Sequence, residues 1–408
     1  MKKPRLAFVS PLFLFPNDAG GKIRTTNILR QLKGGFFEVV LVCPASAEQL
    51  ERWREELQGV CDELVTWTPR KPQPRWRRAL DLFDGLPVNV VSDRTREGRA
   101  AVRQVLERGS VDLLLIDFVH AAVLMPEAIE TPTICFTHNV EAEIFARHAQ
   151  QAGKRLMRRV WAAQHRKMQD YEGHSLRRFR SVIAVSERDA AHFRQQYGVS
   201  RASAIPTGVD PHYYHWQSPP EITADAPATV VFTGSMDSAA NIDGVSFFLR
   251  QIWPLVLQAR PQARFVVAGR APAASLVQLA SKYPNVELTG AVDDVRPYVH
   301  RAHAFVIPLQ VGGGTRIKAY EGMALGCPVV STTVGIEGLE AEPDQHYLRC
   351  DEPENFAAAL LSLMDDATLR QRLSAAARHL VETRFGQERV GQVFEQICID
   401  TLRGEASQ

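Results

Sequence analysis

The segment Pro308-Leu309-Gln310-Val311-Gly312-Gly313-Gly314-Thr315-Arg316-Ile317-Lys318-Ala319-Tyr320-Glu321-Gly322 holds the residues best suited to chemistry. It reads as a strand ending at Pro308, a glycine loop, and a helix beginning near Thr315. Glycines let backbone approach an anion closely, and the first N–H groups of a helix have no intrahelical partner. Arg316 and Lys318 add fixed positive charge beside those donors. Gly312, Gly313, Gly314, Thr315, Arg316 and Lys318 therefore describe a cradle for a diphosphate that needs no metal. Glu321 follows about one and a half turns after Arg316, and its carboxylate can accept two hydrogen bonds from vicinal ribose hydroxyls.

Other chemistry is excluded by spacing. Gly20-Gly21-Lys22-Ile23 imitates the phosphate loop of nucleotide hydrolases, but Ile23 stands where Ser or Thr must hold magnesium. The cysteines Cys43, Cys61, Cys135, Cys327, Cys350 and Cys398 form no C-x-x-C pair, and no zinc or Ser–His–Asp pattern is visible. The expectation is no metal, no cofactor, no disulfide framework, and reduced thiols in a cytoplasm.

Short apolar runs followed by polar or glycine punctuation must position these residues. In the first half they are Leu6–Ser10, Glu38–Cys43, Glu63–Thr66, Leu113–Asp117, Thr133–Thr137 and Ser181–Val185. The second half repeats the style at Thr229–Thr233, Arg264–Ala268, Val286–Thr289, Ala304–Pro308, Pro328–Thr332 and His346–Cys350. Helical patterns alternate with them, as at Ile23–Leu32, Ala45–Leu57 and Glu97–Arg108. Such alternation predicts an α/β protein with parallel sheets and ligands at the carboxyl ends of the strands. The Pro-rich stretch Ile205–Pro220 marks a boundary. The expected domains are 1–205, 206–384, and a C-terminal helix in 385–408 that crosses back to the first domain.

The chain has 408 residues, 45% hydrophobic and 23% charged, with a net charge of +2. These values fit two globular domains and give no general basic excess for nucleic acid. Lys2 and Lys3 precede an apolar run that mimics a signal peptide, but Pro11 and Pro16 break it and no cleavage site follows. No apolar run is long enough to span a bilayer. Charge is nevertheless uneven. Between Arg147 and Arg180 ten basic residues face only Asp170 and Glu172, and a second cluster runs from Arg70 to Arg78. Either a solvated helix face or attraction to an anionic membrane surface accounts for this pattern.

The chain resembles retaining GT-B glycosyltransferases, the large group numbered family four, and most closely the bacterial exopolysaccharide-associated sugar transferases. The resemblance rests on the glycine loop with its Arg316-x-Lys318-x-x-Glu321 helix and on Pro11…Gly20-Gly21-Lys22-Ile23-Arg24. Thr137-His138-Asn139-Val140-Glu141, Val185-Ser186-Glu187-Arg188-Asp189 and Pro206-Thr207-Gly208-Val209-Asp210 add to it. Phe232-Thr233-Gly234-Ser235-Met236, Asn241-Ile242-Asp243-Gly244 and Thr333-Val334-Gly335-Ile336-Glu337-Gly338 complete the set, which runs from about residue 6 to 400. It implies two Rossmann-like domains facing a central cleft, and transfer of a sugar from a nucleotide diphosphate sugar to an acceptor hydroxyl. The expected acceptor is a glycan or lipid-linked sugar, and the cysteines and the basic segment add the expectation of a cytoplasmic enzyme attached peripherally at the inner face of the membrane.

By the same resemblance His138 touches the donor sugar and His120 the acceptor. Gly20, Gly21 and Gly234 line the site, and Gly269 and Gly290 lie near the base. Two departures stand out. Gly313 replaces the first carboxylate of a Glu-x7-Glu pattern, and Ser235, Met236 and Asn241 stand where many members carry an Arg and a Lys. Arg316 and Lys318 are expected to take over the diphosphate charge. A nucleotide-sugar epimerase or hydrolase, and a non-catalytic sugar-nucleotide-binding protein, are the rival readings.

Overall fold

The computed structural model describes residues 2–17, 20–70, 80–107, 111–205, 208–223, 227–311 and 317–405. The chain divides into two compact units, Met1–Gly208 with Val390–Gln408, and Val209–Arg389.

The N-terminal unit is built on a seven-stranded sheet in the order β3-β2-β1-β4-β5-β6-β7. Its strands are β1 (Arg5–Val9), β2 (Glu38–Pro44), β3 (Glu63–Trp67), β4 (Leu113–Asp117), β5 (Thr133–Phe136), β6 (Ser181–Ala184) and β7 (Ala202–Ala204). Every pairing in it is parallel. Side chains alternate between faces along each strand, so Ala7, Val9, Leu114 and Ile116 join one core while Leu6, Phe8, Leu113 and Leu115 join the other. Burial on both faces is why these strands read as unbroken apolar runs.

Helix α1 (Gly20–Leu32) buries Ile28, Leu29 and Leu32 against the sheet. Its first turns instead bury the polar Arg24, Thr25 and Thr26, because that end abuts the carboxyl ends of the strands. The long helix α2 (Arg155–Leu176) carries half of the basic residues of that segment. The last helix, α4 (Gln387–Arg403), places Val390, Phe394, Ile397 and Cys398 in the core that holds Leu6 and Phe8. Phe394 meets Phe136 edge-on at 5.1 Å.

The C-terminal unit carries a six-stranded sheet in the order β10-β9-β8-β11-β12-β13, again parallel throughout. Its strands are β8 (Thr229–Thr233), β9 (Arg264–Ala268), β10 (Val286–Gly290), β11 (Ala304–Ile307), β12 (Val329–Ser331) and β13 (Leu348–Arg349). Val230, Phe232, Phe265 and Val306 pack on one face with Phe248, Trp253 and Phe356; Val231, Phe305 and Val329 pack on the other with Tyr320 and Phe385. Helix α3 (Ile317–Ala324) follows β11 in the chain. Each expected strand run falls on one of these strands. Strand β7 is additional, three residues too short to register as an apolar run. The expected helix Ala45–Leu57 is two helices, Ala47–Arg52 and Arg54–Gln58, interrupted at Trp53.

Candidate functional site

Three strand ends of the N-terminal unit converge on His138. Asp117 ends β4, Ser10 follows β1, and His138 lies two residues past β5. His138 Nε2 donates to Asp117 Oδ1 at 2.6 Å, and Arg24 Nη1 donates to His138 Nδ1 at 3.0 Å. A guanidinium only donates, so Nδ1 must be the acceptor and the proton sits on Nε2. The other carboxylate oxygen of Asp117 accepts from Thr25 Oγ1 at 2.9 Å and Ser10 Oγ at 3.3 Å. Burial, reinforced by the Arg24 charge, holds the His138 pKa below its ordinary value despite Asp117. Burial also pushes Arg24 down to about 10, which leaves it a cation at neutral pH. This is a closed chain of partners, with His138 only 5% exposed.

Phe118 seals it. Its ring stacks on His138 at 4.0 Å and on His120 at 5.1 Å, and its backbone sits at φ 65°. A Cβ on Gly21 would lie 2.7 Å from the tip of that ring, whereas one on Gly20, the first residue of α1, would meet nothing within 4 Å. His120 has its own carboxylate, bonding through Nδ1 to Asp93. Burial opposes its charge, but the fields of Asp93, Glu141 and Asp117 hold its pKa above the ordinary value.

The C-terminal unit assembles a different centre, with an ammonium at the carboxyl end of β8. Lys318 Nζ donates to Thr233 O at 3.1 Å and to Asn241 Oδ1 at 3.0 Å, and lies 4.4 Å over the Phe232 ring. Asn241 in turn donates to Ser235 O at 2.9 Å. Gly234, at φ 151°, passes so close that a Cβ there would sit 2.9 Å from Lys318 Nζ. A Cβ on Gly269, just past β9, would lie 1.9 Å from Gly234 O. Only glycine allows these two loops to touch. Gly290, at φ 71°, ends β10 in open space.

Glu321, three residues beyond Lys318 on α3, accepts a hydrogen bond from Tyr214 Oη at 2.9 Å. Burial lifts its pKa above the usual carboxylate range, against the pull of Tyr214 and Lys318. The remaining residues of the expected cradle, Gly312, Gly313, Gly314, Thr315 and Arg316, lie outside the described residues.

The structure thus brings Lys318, Gly234 and Gly269 together and gives Glu321 a tyrosine partner. It also occupies both ring nitrogens of His138 with protein groups, where the resemblance implied a contact to sugar. Arg24 was read from sequence only as part of a motif and Asn241 only as a departure from one, while Asp117 and Tyr214 were not singled out. Asp117 and Asn241 had a signal, a polar residue ending an apolar strand and one in a family motif. Tyr214 had none.

The basic segment also needs revision. Lys167 donates to Leu82 O at 2.9 Å, Arg177 to Tyr197 O at 3.1 Å and Arg178 to Pro126 O at 2.6 Å, so these three cations hold loops of the fold. Arg155, Arg158, Arg159 and Arg166 are exposed, beside Leu156 at 72% exposure. In the Arg70–Arg78 cluster, residues 71–78 lie outside the described residues. Among the described residues no helix is long and apolar enough to cross a membrane, and no cluster could hold a metal ion. The six cysteines are buried and unpaired.

Comparison with known proteins agrees with this architecture. Residues 19–213 match the model described as Glycosyltransferase Family 4, and residues 227–366 the model described as Glycosyl transferases group 1. Glycogen synthase of Mycobacterium tuberculosis is 23% identical over 296 residues, which is 70% of this chain and 67% of that protein. Sucrose-phosphate synthase from Thermosynechococcus elongatus superposes with a TM-score of 0.68 at 15% identity, covering 99% of this chain and 100% of the other. Anabaena HepE in complex with UDP gives 0.67 at 14% identity, covering 97% and 100%. With a family 4 match over its first half, a group 1 match over its second and two Rossmann-like parallel-sheet units to carry them, the chain is a glycosyltransferase of the GT-B fold.

Proposed function

We propose that the protein transfers a sugar, with retention, from a nucleotide diphosphate sugar to the hydroxyl of a glycan or lipid-linked acceptor in cell-surface or exopolysaccharide assembly. The C-terminal unit binds the donor and the N-terminal unit the acceptor. One observation carries the donor assignment. The chain lacks the basic pair that many members place after the first donor-domain strand, yet Lys318 reaches back from α3 to that position, at Thr233 O and Gly234. Its ammonium faces the loops of Gly234 and Gly269, where the leaving diphosphate develops charge, and electrostatic stabilisation there is the main contribution to catalysis. Glu321 takes the ribose, with Tyr214 fixing one of its oxygens. HepE supports a uridine donor as the first to try, since that relative holds UDP.

His138 takes a positioning role in this reading. Its ring ties Arg24 to Asp117 and fixes the strand ends at which Gly20 and Gly21 begin α1. The exposed arginines of α2 suit a peripheral attachment to an anionic membrane surface.

The test is a thermal-shift screen with UDP, GDP and ADP on the wild type and on Lys318→Ala, because a ligand that binds only the native state stabilises it by mass action. At least one diphosphate is expected to raise the melting temperature of the wild type and not of the variant. Equal shifts in both proteins overturn the assignment of Lys318.

A further inference from the structure

The barest apolar side chains of the protein stand beside a row of exposed arginines in the N-terminal unit. Phe83, Leu156 and Leu80, at 87%, 72% and 59% exposure, are in that order the three most exposed large apolar residues among the described residues. Such residues are ordinary on a surface when scattered singly, and only grouping gives them meaning.

Here the fold groups them. Residues 80–86 are fastened to α2. Lys167 Nζ donates to Leu82 O at 2.9 Å and to Asp84 O at 2.5 Å. Gln164 Nε2 donates to Leu82 O at 3.3 Å, and Val88 N donates to Gln164 Oε1 at 2.9 Å. Phe83 sits between the two clamped carbonyls, yet its ring stays in solvent. Leu156 precedes Lys167 by three turns of α2, with a rotation of about 20° left over, so both lie on one side of the helix about 16 Å apart along its axis. Arg155, Arg159 and Arg166 are spaced four and seven apart, which forms a stripe beside that line. All three are exposed, and among the described residues no carboxylate pairs with them. The carboxylates of residues 80–86 are Asp81 and Asp84, and Asp84 is paired with Arg94.

The occupant must offer anionic groups and hydrocarbon together. A soluble polyanion would satisfy the arginines but leave Phe83 and Leu156 in water. An anionic bilayer supplies both, with phosphates at its surface and acyl chains beneath. We propose that residues 80–86 and the first turns of α2 form a bilayer-docking face. On it Arg155, Arg159 and Arg166 hold lipid phosphates while Phe83 and Leu156 enter the boundary between headgroups and acyl chains. The proposal rests on reading the arginines of α2 as a membrane attachment, and it adds an apolar anchor that salt does not screen.

The experiment is co-sedimentation of the full chain with phosphatidylcholine vesicles containing about 30% phosphatidylglycerol, at low and at high salt, with heparin binding measured alongside. The variants are Phe83→Ser/Leu156→Ser and Arg155→Gln/Arg159→Gln/Arg166→Gln. Every replaced side chain is exposed, so urea unfolding should match the wild type and show that both variants fold. The wild type is expected to sediment at low salt and to keep part of its binding at high salt. The serine variant should bind at least about tenfold more weakly at low salt and lose what survives at high salt. The glutamine variant should bind about a hundredfold more weakly at low salt. A serine variant that sediments like the wild type overturns the insertion and leaves attachment by charge alone. A wild type that fails to sediment at low salt overturns both readings. A wild type that binds heparin but not vesicles docks a soluble acidic polymer, which equally overturns the proposal.

Discussion

The two units bury charge at the same place, the carboxyl ends of parallel strands, but organise it in opposite ways. In the N-terminal unit every group in the chain Arg24–His138–Asp117 has a partner inside the unit, and Asp117 is fully buried. In the C-terminal unit the ammonium of Lys318 donates to neutral oxygens of Thr233 and Asn241. A cation balanced by a buried carboxylate is spent on holding shape. Lys318, bound to two neutral oxygens and acting through its field on Glu321, is placed at a strand end where it can also donate to an incoming anion. The first centre is therefore expected to govern stability and the second to govern binding.

The largest effect tests the first half of that contrast. Asp117→Ala removes the acceptor of three side chains and the carboxylate whose field acts most strongly on the buried Arg24. Stranding a buried cation in this way costs about 3–5 kcal/mol, read as a lowered first transition in urea. UDP affinity of the folded fraction should be unchanged. If affinity falls while the unfolding curve stays put, the two centres are not divided as argued.

Lys318→Ala should do the reverse. Losing one charged hydrogen bond to the diphosphate costs roughly 1.5–3 kcal/mol, so turnover should fall at least about tenfold with little change in unfolding. A smaller effect comes from Tyr214→Phe, which frees the Glu321 oxygen that accepts at 2.9 Å. A ribose contact is the same in ground and transition states, so the donor KM should rise about five-fold, on the order of 1 kcal/mol, with kcat nearly constant. Glu321→Gln should share that signature. A lowered kcat at unchanged KM in either variant would move Glu321 away from the ribose.

How much of this was legible follows from the range of each interaction. The strands were, because burial on both faces of a sheet writes itself as a local run such as Leu113-Leu114-Leu115-Ile116. Strand β7 was not, since Ala202-Ser203-Ala204 owes its pairing to β6 and not to its own side chains. Lys318 could be named from its glycine loop, but its bond to Thr233, 85 residues away in sequence, could not. The partners of His138 lie 21 and 114 residues away, so the locked ring was invisible where the histidine itself was not. The basic segment shows the opposite error. A count of charges treats Lys167 and Arg155 alike, whereas one binds Leu82 O and the other is exposed.

The finest test concerns the two histidines that stack on Phe118. His138 has its pKa held below 6.5 by burial and by Arg24, so its neutral form belongs to the folded state. Its contribution is complete above pH 6.5 and is lost as pH falls from there toward the depressed folded value, because the unfolded chain takes up the proton first. His120 is shifted the other way by Asp93, Glu141 and Asp117, against burial. Its contribution is complete below pH 6.5 and is lost as pH rises through the raised folded value. In the wild type the two windows adjoin at pH 6.5, so the pair stabilises most there and its contribution declines on either side. Replacing His120 with Gln should remove the decline above pH 6.5 and leave the loss on acidification below it. Replacing His138 with Gln lowers stability at every pH, but the remaining slope should run downward as pH rises. The slopes, not the heights, are the readout, measured by urea unfolding at half-unit pH steps. Parallel profiles for both variants and the wild type would show that neither imidazole changes protonation between the folded and unfolded states. The opposed environments assigned to the two rings would then have to be abandoned.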